Sequence, residues 1–393
     1  MTQILPADNK RLDVVDALRG FALLAIVLLH NLEHYNLFYF PKDVPAWLPV
    51  LDKYIWGTIF FFLAGKAYAT FSLLFGFSFY IQMRNERSRG GDFRARFAWR
   101  MFILFLFSQL HALFYNGDIL LLYSVVGLVL ILVSELKDRT VFIIALICLL
   151  QPMEWFRILY AFIDPDFISY GNYFMTYAKR AQPVMENGTF LELLRSNIWD
   201  GQLYSNFWQV ENGRLFQTAA LFMFGMLLGR RSYFVKSDDS IKVWKKVLLY
   251  CAIAFVPLYV LRVYLPAQIE SQSMLLPVNI ILPSLTNFAF MGVLVALFTL
   301  LWFKSGGYKF QRFIIPYGRM SLTNYIGQSI MGVMIYYAAG LGLYKYTGAT
   351  LSTLIALGIF GVQWVFSNWW LSTHKQGPLE YLWRKATWLG KKR

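Results

Sequence analysis

Apolar residues along this chain come in blocks of roughly 18 or more, the length a helix needs to cross a hydrocarbon core of about 30 Å. Separated by charged or Pro/Gly-rich breaks, the blocks fall near 16–34, 66–83, 97–115, 117–134, 140–158, 215–229, 247–265, 279–303, 319–340 and 351–371. Each predicts a spanning helix, so the expected fold is an all-α polytopic integral membrane bundle of about ten transmembrane helices. The block from Tyr54 to Met83 is too long for one span and is interrupted at Gly65-Lys66, so its first half reads as a re-entrant or interfacial helix. One transmembrane domain is expected over 1–393. Its longest loop, 157–213, is aromatic and polar rather than low-complexity, and reads as an extracytoplasmic lid of short helices.

Composition agrees with a lipid environment. The 393 residues are 58% hydrophobic and 15% charged, with a mean hydropathy of +0.47, whereas soluble domains carry about 45–50% apolar and about 25% charged residues. Disorder, collagen and disulfide scaffolds are excluded by the same figures. Cys148 and Cys251 both lie in apolar blocks, so neither a disulfide framework nor a cysteine metal site is available. The formal charge of +15 would suit nucleic acid, but the positions of the charges argue otherwise. Alternate loops collect Arg84–Arg100, Arg230–Lys246, Lys304–Arg312, Lys375–Arg393 and the pairs Lys10-Arg11 and Lys137, Arg139. The opposite loops hold only Lys42, Lys53, Arg157, Lys179, Arg180, Arg195 and Lys345. By the positive-inside rule both termini are cytoplasmic, and the basic charge is a topology signal with no nucleic-acid partner implied. No cleavable signal peptide is expected, because the N-terminus is polar through Asp16 and no small-residue cleavage site follows the first apolar block. The setting is a bacterial cytoplasmic (inner) membrane, crossed many times.

Ionisable residues inside spans are costly and point to function when they share a face. In the first span, Asp16, Arg19, Glu33 and His34 all lie within about 60° of His30 at ~100° per residue. Such a stripe has to face the bundle interior or water. The third span repeats the device: Arg100 and His111 are again eleven residues apart, with Arg96 one turn below, so each helix carries an arginine at its cytoplasmic end and a histidine about 16 Å further out. Asp118 and Lys66 join the level of the histidines. For His111 and His34 a bond to a neighbouring helix is the simpler role; His30, deeper and aligned with Arg19, is the stronger candidate for chemistry. His30-Asn-Leu-Glu33-His34 also has the spacing of a zinc-binding helix, with Asp118 or His111 as a third ligand, but the pattern is too short to carry a metal and none is expected. Arg96 and Arg100, one turn apart, form a candidate phosphate clamp, with Arg319 entering from the same side. Walker, Gly-x-Ser-x-Gly and paired-cysteine motifs are absent, which leaves ATPase, serine-hydrolase and thiol chemistry unsupported.

The stretches ALRGFALLAIVLLHN, KAYATFSLLFGFSF, LHALFYNGDILLLYSVVGL, GRMSLTNYIGQS and GPLEYLWRKATW resemble the YeiB-like membrane family, whose C-terminal half is domain of unknown function 418. On this resemblance the N-terminal helices 16–134 carry the candidate active site and 215–393 form the second half. That family is in turn similar to the acyltransferase type 3 and heparan-glucosaminide acetyltransferase families, in which an arginine precedes the catalytic histidine by eleven residues, as Arg19 precedes His30. The resemblance implies an acyltransferase using cytoplasmic acyl-CoA, with His30 handling the proton of an unknown saccharide, lipid or small-molecule acceptor. Glu33 or Asp118 would orient the imidazole, Arg19, Arg96, Arg100 and Arg319 would hold the donor's phosphates, and Asn31 or Lys66 would polarise the thioester. The rival readings are a transporter or flippase using the same polar stripe, and a non-catalytic membrane partner or sensor.

Overall fold

The computed structural model describes residues 11–33, 35, 37–164 and 172–389, and these are all-helical. The N-terminal group comprises α1 (Asp13–Glu33), α2 (Trp47–Leu63), α3 (Lys66–Arg87), α4 (Arg94–Ala112) and two short pieces, α5 (Leu120–Val126) and α6 (Val129–Val133). Then come α7 (Asp138–Leu149) and α8 (Pro152–Ala161). The long loop contributes α9 (Tyr173–Asn187), α10 (Phe190–Ser196), a π-helical turn (Asn197–Gly201) and α11 (Gln202–Glu211). The remainder holds α12 (Arg214–Arg230), α13 (Asp238–Tyr264), α14 (Gln272–Ser305), α15 (Lys309–Phe313), α16 (Ile315–Arg319), α17 (Ser321–Tyr336), α18 (Ala349–Thr373) and α19 (Pro378–Thr387).

Part of the expected set of ten spans is visible in these helices. Among the described residues four helical stretches are long and apolar enough to cross a membrane: Trp47–Arg87, Asp238–Gln268, Gln272–Ser305 and Ala349–Thr373. The bent pair α7 and α8 makes a fifth if counted as one span; it turns by 46° where Gln151 adopts a left-handed backbone (φ 58°) before Pro152. The 117–134 block is too short, being split into α5 and α6. The α1, α4 and α17 helices fall outside this set: α1 buries Asp16 and carries Arg19, α4 carries Arg96 and Arg100, and α17 has only 16 residues and buries Asn324 and Gln328. Gly65 (φ 76°) breaks the stretch from Trp47 to Arg87. Of α2 only Asp52 is buried, and it caps α18 by accepting the Thr350 backbone N–H (2.7 Å) and hydroxyl (2.5 Å).

Two glycine-mediated approaches set the core. Gly76 of α3 faces the Phe222 carbonyl of α12, and Gly225 of α12 faces the Leu73 carbonyl of α3, so a Cβ on either would push the two backbones apart. Gly20 of α1 and Gly318 of α16 make the same reciprocal approach through Ile314 and Asp16. The largest buried cluster, with Phe79, Phe97, Tyr123, Phe222 and Tyr317 among its members, lies between α3, α4, α5, α12 and α16. At one end α19 clasps the bundle. Glu380 caps the N-terminus of α17 by accepting from Leu322 N (2.6 Å), Thr323 N (3.1 Å) and the Thr323 hydroxyl (2.6 Å), and the indole of Trp383 donates to the Arg100 carbonyl (3.1 Å).

Candidate functional site: one cavity from an arginine mouth to His30

The polar stripe of α1 turns inward onto a cavity of about 980 Å³. Asp16, Arg19, His30 and Glu33 all line it, so one helix links the cavity's two ends. The mouth is basic. Arg11, Arg84, Arg89, Arg100, Arg319 and Arg384 stand around it, and part of its rim comes from Gln376, just before α19, and from Glu380 and Trp383 of α19. Asp16 is sandwiched between Arg11 and Arg19, the latter at 2.7 Å, and Arg19 also donates to the Ser78 hydroxyl of α3 (2.6 Å). This acid neutralises part of the mouth and fixes Arg19 in place. The guanidinium of Arg100 lies over the Trp383 ring at 3.5 Å, while Arg319 donates to the Lys375 carbonyl (3.2 Å) and keeps a buried Nε with no hydrogen-bond partner among the described residues.

At the other end His30 sits in an aromatic cage. Its ring centroid is 5.7 Å from Tyr35, 5.4 Å from Tyr115 and 6.2 Å from Tyr325, and the Tyr35 hydroxyl is 3.4 Å from Nδ1. Packing on three sides orients the imidazole while leaving it on the cavity wall. The roof comes from α11, whose Tyr204, Ser205, Trp208 and Gln209 line the same space at the i, i+1, i+4, i+5 spacing of one helix face. The roof is tied down by Glu211, which accepts from the Tyr173 backbone N–H (3.0 Å); burial raises its carboxyl above the usual range against the lowering effect of that bond.

The other sequence-derived candidates are dispersed. His111 is buried and its Nδ1 lies 2.7 Å from Asp118 Oδ1, behind Tyr115 and Tyr325 and off the cavity wall. Asp118 thus pairs with His111, whereas the sequence reading offered it to His30; its backbone carbonyl accepts from Ser205 (3.2 Å) and Gln209 (3.0 Å). Arg96 donates to the carbonyls of Thr387 (3.0 Å) and Leu389 (3.2 Å), so it fastens α19 and does not line the cavity with Arg100. Asn31 is buried and donates to the Val27 carbonyl (2.7 Å) of its own helix. Lys66 sits between Phe61 and Phe290, 6.0 and 5.6 Å from their rings, also off the wall. His34 lies outside the described residues. Among the described residues no group of three His, Cys, Asp or Glu side chains could hold a metal.

Sequence reasoning overlooked the aromatic roof and Arg214. Arg214 lines the cavity with its guanidinium over Tyr68 (4.6 Å) and Trp208 (5.2 Å). The available signal was the aromatic face of 204–209 arriving one turn before an arginine that opens an apolar block.

Residues 228–390 match the family described as "Protein of unknown function (DUF418)". Along nearly its whole length the chain is also similar to three curated bacterial proteins. "Uncharacterized protein YxaH" of Bacillus subtilis (strain 168) is 28% identical, with 97% of this chain and 95% of that one covered. The "Uncharacterized 39.9 kDa protein in amylase 3'region" of Bacillus acidopullulyticus is 27% identical over 97% and 94%. "Uncharacterized protein YeiB" of Escherichia coli (strain K12) is 26% identical over 95% of each. No solved structure matches. The C-terminal part of the chain thus matches DUF418, and nearly the whole chain is similar to the YeiB-like proteins.

Proposed function

We propose that the protein is an acyltransferase of the bacterial inner membrane that takes an acyl group from cytoplasmic acyl-CoA and gives it to an acceptor hydroxyl or amine near the outer face. The observation that carries this reading is the single cavity joining the arginine mouth to His30. In it the mouth faces the cytoplasm, as the loop charges imply, and α1, α4, the α5–α6 pair, α12 and α17 cross within the bundle alongside the five more apolar spans, ten in all. A polyanionic donor suits the mouth: Arg100 and Arg319 present guanidinium forks to phosphate oxygens, and Arg19, held by Asp16 and Ser78, lines the way inward. The donor's thin arm would run along α1 for about the 16 Å that separates Arg19 from His30.

At the far end neutral His30 takes the proton from the acceptor as its oxygen or nitrogen attacks the thioester carbonyl. The carbon–sulfur bond breaks, and the imidazolium returns the proton to the departing thiolate. The products are free CoA and an ester or amide. The tyrosine cage and the α11 roof would keep water from competing for the acyl group. His30→Ala tests this reading. The variant is expected to stay folded and to bind acyl-CoA, with thioester turnover down at least a hundredfold, since a general base contributes about 10²–10⁴ in rate. Near-parent turnover would refute it. The same end-to-end cavity also suits a transporter, which would move a solute across liposomes without releasing a thiol.

A further inference from the structure

We infer that Arg214 forms an anion-binding position at the outer end of the cavity, so that the small molecule handled there carries a carboxylate or phosphate group. Arg214 is the first residue of α12 and reaches the cavity beside the α11 roof. Its guanidinium lies over Tyr68 and Trp208 and donates to the neutral Gln217 Oε1 at 2.8 Å. Among the described residues no carboxylate is within ion-pair distance of it, although Arg11 and Arg19 share Asp16, Arg157 has Glu154, and Arg230 and Arg231 share Asp138. A cation at such a level, half-buried and unneutralised, is expensive unless a ligand charge meets it.

The arginine is also held in place. Buried Gln217 donates to the Ser284 carbonyl of α14 (3.4 Å), and buried Gln151, at the α7–α8 bend, donates to the Ser284 hydroxyl (3.1 Å) and to the Gly213 carbonyl (3.0 Å) just before Arg214. Four elements therefore fix the guanidinium through uncharged groups, and this leaves its charge for the cavity. Aromatic rings against its faces leave the planar edge for a two-oxygen anion, which is the geometry that favours arginine over lysine. Within the acyl-transfer reading, on which the word acceptor rests, this makes the acceptor an anion. Within a transport reading it makes the solute one.

The test uses the full-length protein in lipid nanodiscs with four probes: inorganic phosphate, succinate, its neutral analogue succinamide, and CoA. The parent is expected to bind phosphate or succinate at least tenfold more tightly than succinamide at fixed ionic strength. Arg214→Gln should abolish that preference, Arg214→Lys should restore only part of it, and Gln217→Ala should weaken it. CoA binding should fall with Arg319→Gln and stay within about twofold of the parent in Arg214→Gln. No Arg214-dependent anion preference, or Arg214→Gln weakening CoA alone, would overturn the inference. Thiol release from acyl-CoA, followed in the same samples, keeps the two claims apart: anion binding through Arg214 without turnover removes the transferase reading and leaves this site standing.

Discussion

Helices α1 and α4 look like copies of one device in the sequence, each with an arginine eleven residues before a histidine, but the fold uses them differently. On α1 both ends of the motif, Arg19 and His30, line the cavity. On α4, of the motif, only Arg100 does; His111 turns away from the cavity into a buried pair with Asp118, and Arg96 bonds the backbone of α19. The difference comes from what packs on each helix. The stripe of α1 meets open space bounded by Ser78, Tyr325 and the α11 roof, whereas the outer half of α4 runs against Tyr115, Tyr325 and the Asn116–Asp118 turn. Equal spacing fixes equal azimuth within a helix and says nothing about whether the facing volume is filled.

The sharpest way to break this contrast is to remove His111. If the pair is structural, His111→Leu leaves the buried Asp118 side chain without its His111 hydrogen bond and should cost about 3 kcal/mol of stability, read as loss of the folded fraction in detergent melts. The double change His111→Leu with Asp118→Leu should recover most of that loss, since an apolar pair of similar volume is often neutral. A stable His111→Leu protein with turnover lost a hundredfold would instead make the two helices functionally alike.

A smaller effect is expected at the arginines. Arg100→Gln should weaken acyl-CoA binding about tenfold or more, the scale of one or two charge-assisted hydrogen bonds. Arg96→Gln should leave binding within about twofold while loosening α19, seen as faster protease cleavage near Lys385. Equal losses of binding at both positions would restore the paired clamp that the sequence suggested. Smallest of all should be Asn31→Ala, whose amide bonds only the Val27 carbonyl of its own helix; turnover near the parent value is the expected outcome.

The all-helical character and the alignment of Arg19 with His30 were legible because both follow from periodicity along one chain segment. The aromatic cage was not, since Tyr35, Tyr115 and Tyr325 come from three separate regions and meet only through tertiary packing. Only part of the span count is visible in the helices, for a related reason. Hydropathy registers an apolar block but not whether its helix is broken, as at Gln151-Pro152, or shielded from lipid by neighbours, as α1 is. Arg214 gains its place on the cavity only because α11 folds over it, which no local pattern records.

The central claim is that the cavity conducts an acyl group from the arginine mouth to His30, and it is met most directly by one assay in sealed proteoliposomes. Acyl-CoA is supplied on the side of the arginine mouth, while thiol release and movement of entrapped solute are recorded together for the parent and His30→Ala. The account predicts thiol release by the parent that falls at least a hundredfold in His30→Ala, with the vesicles staying tight. Solute movement without thiol release, unaffected by acyl-CoA, would contradict it.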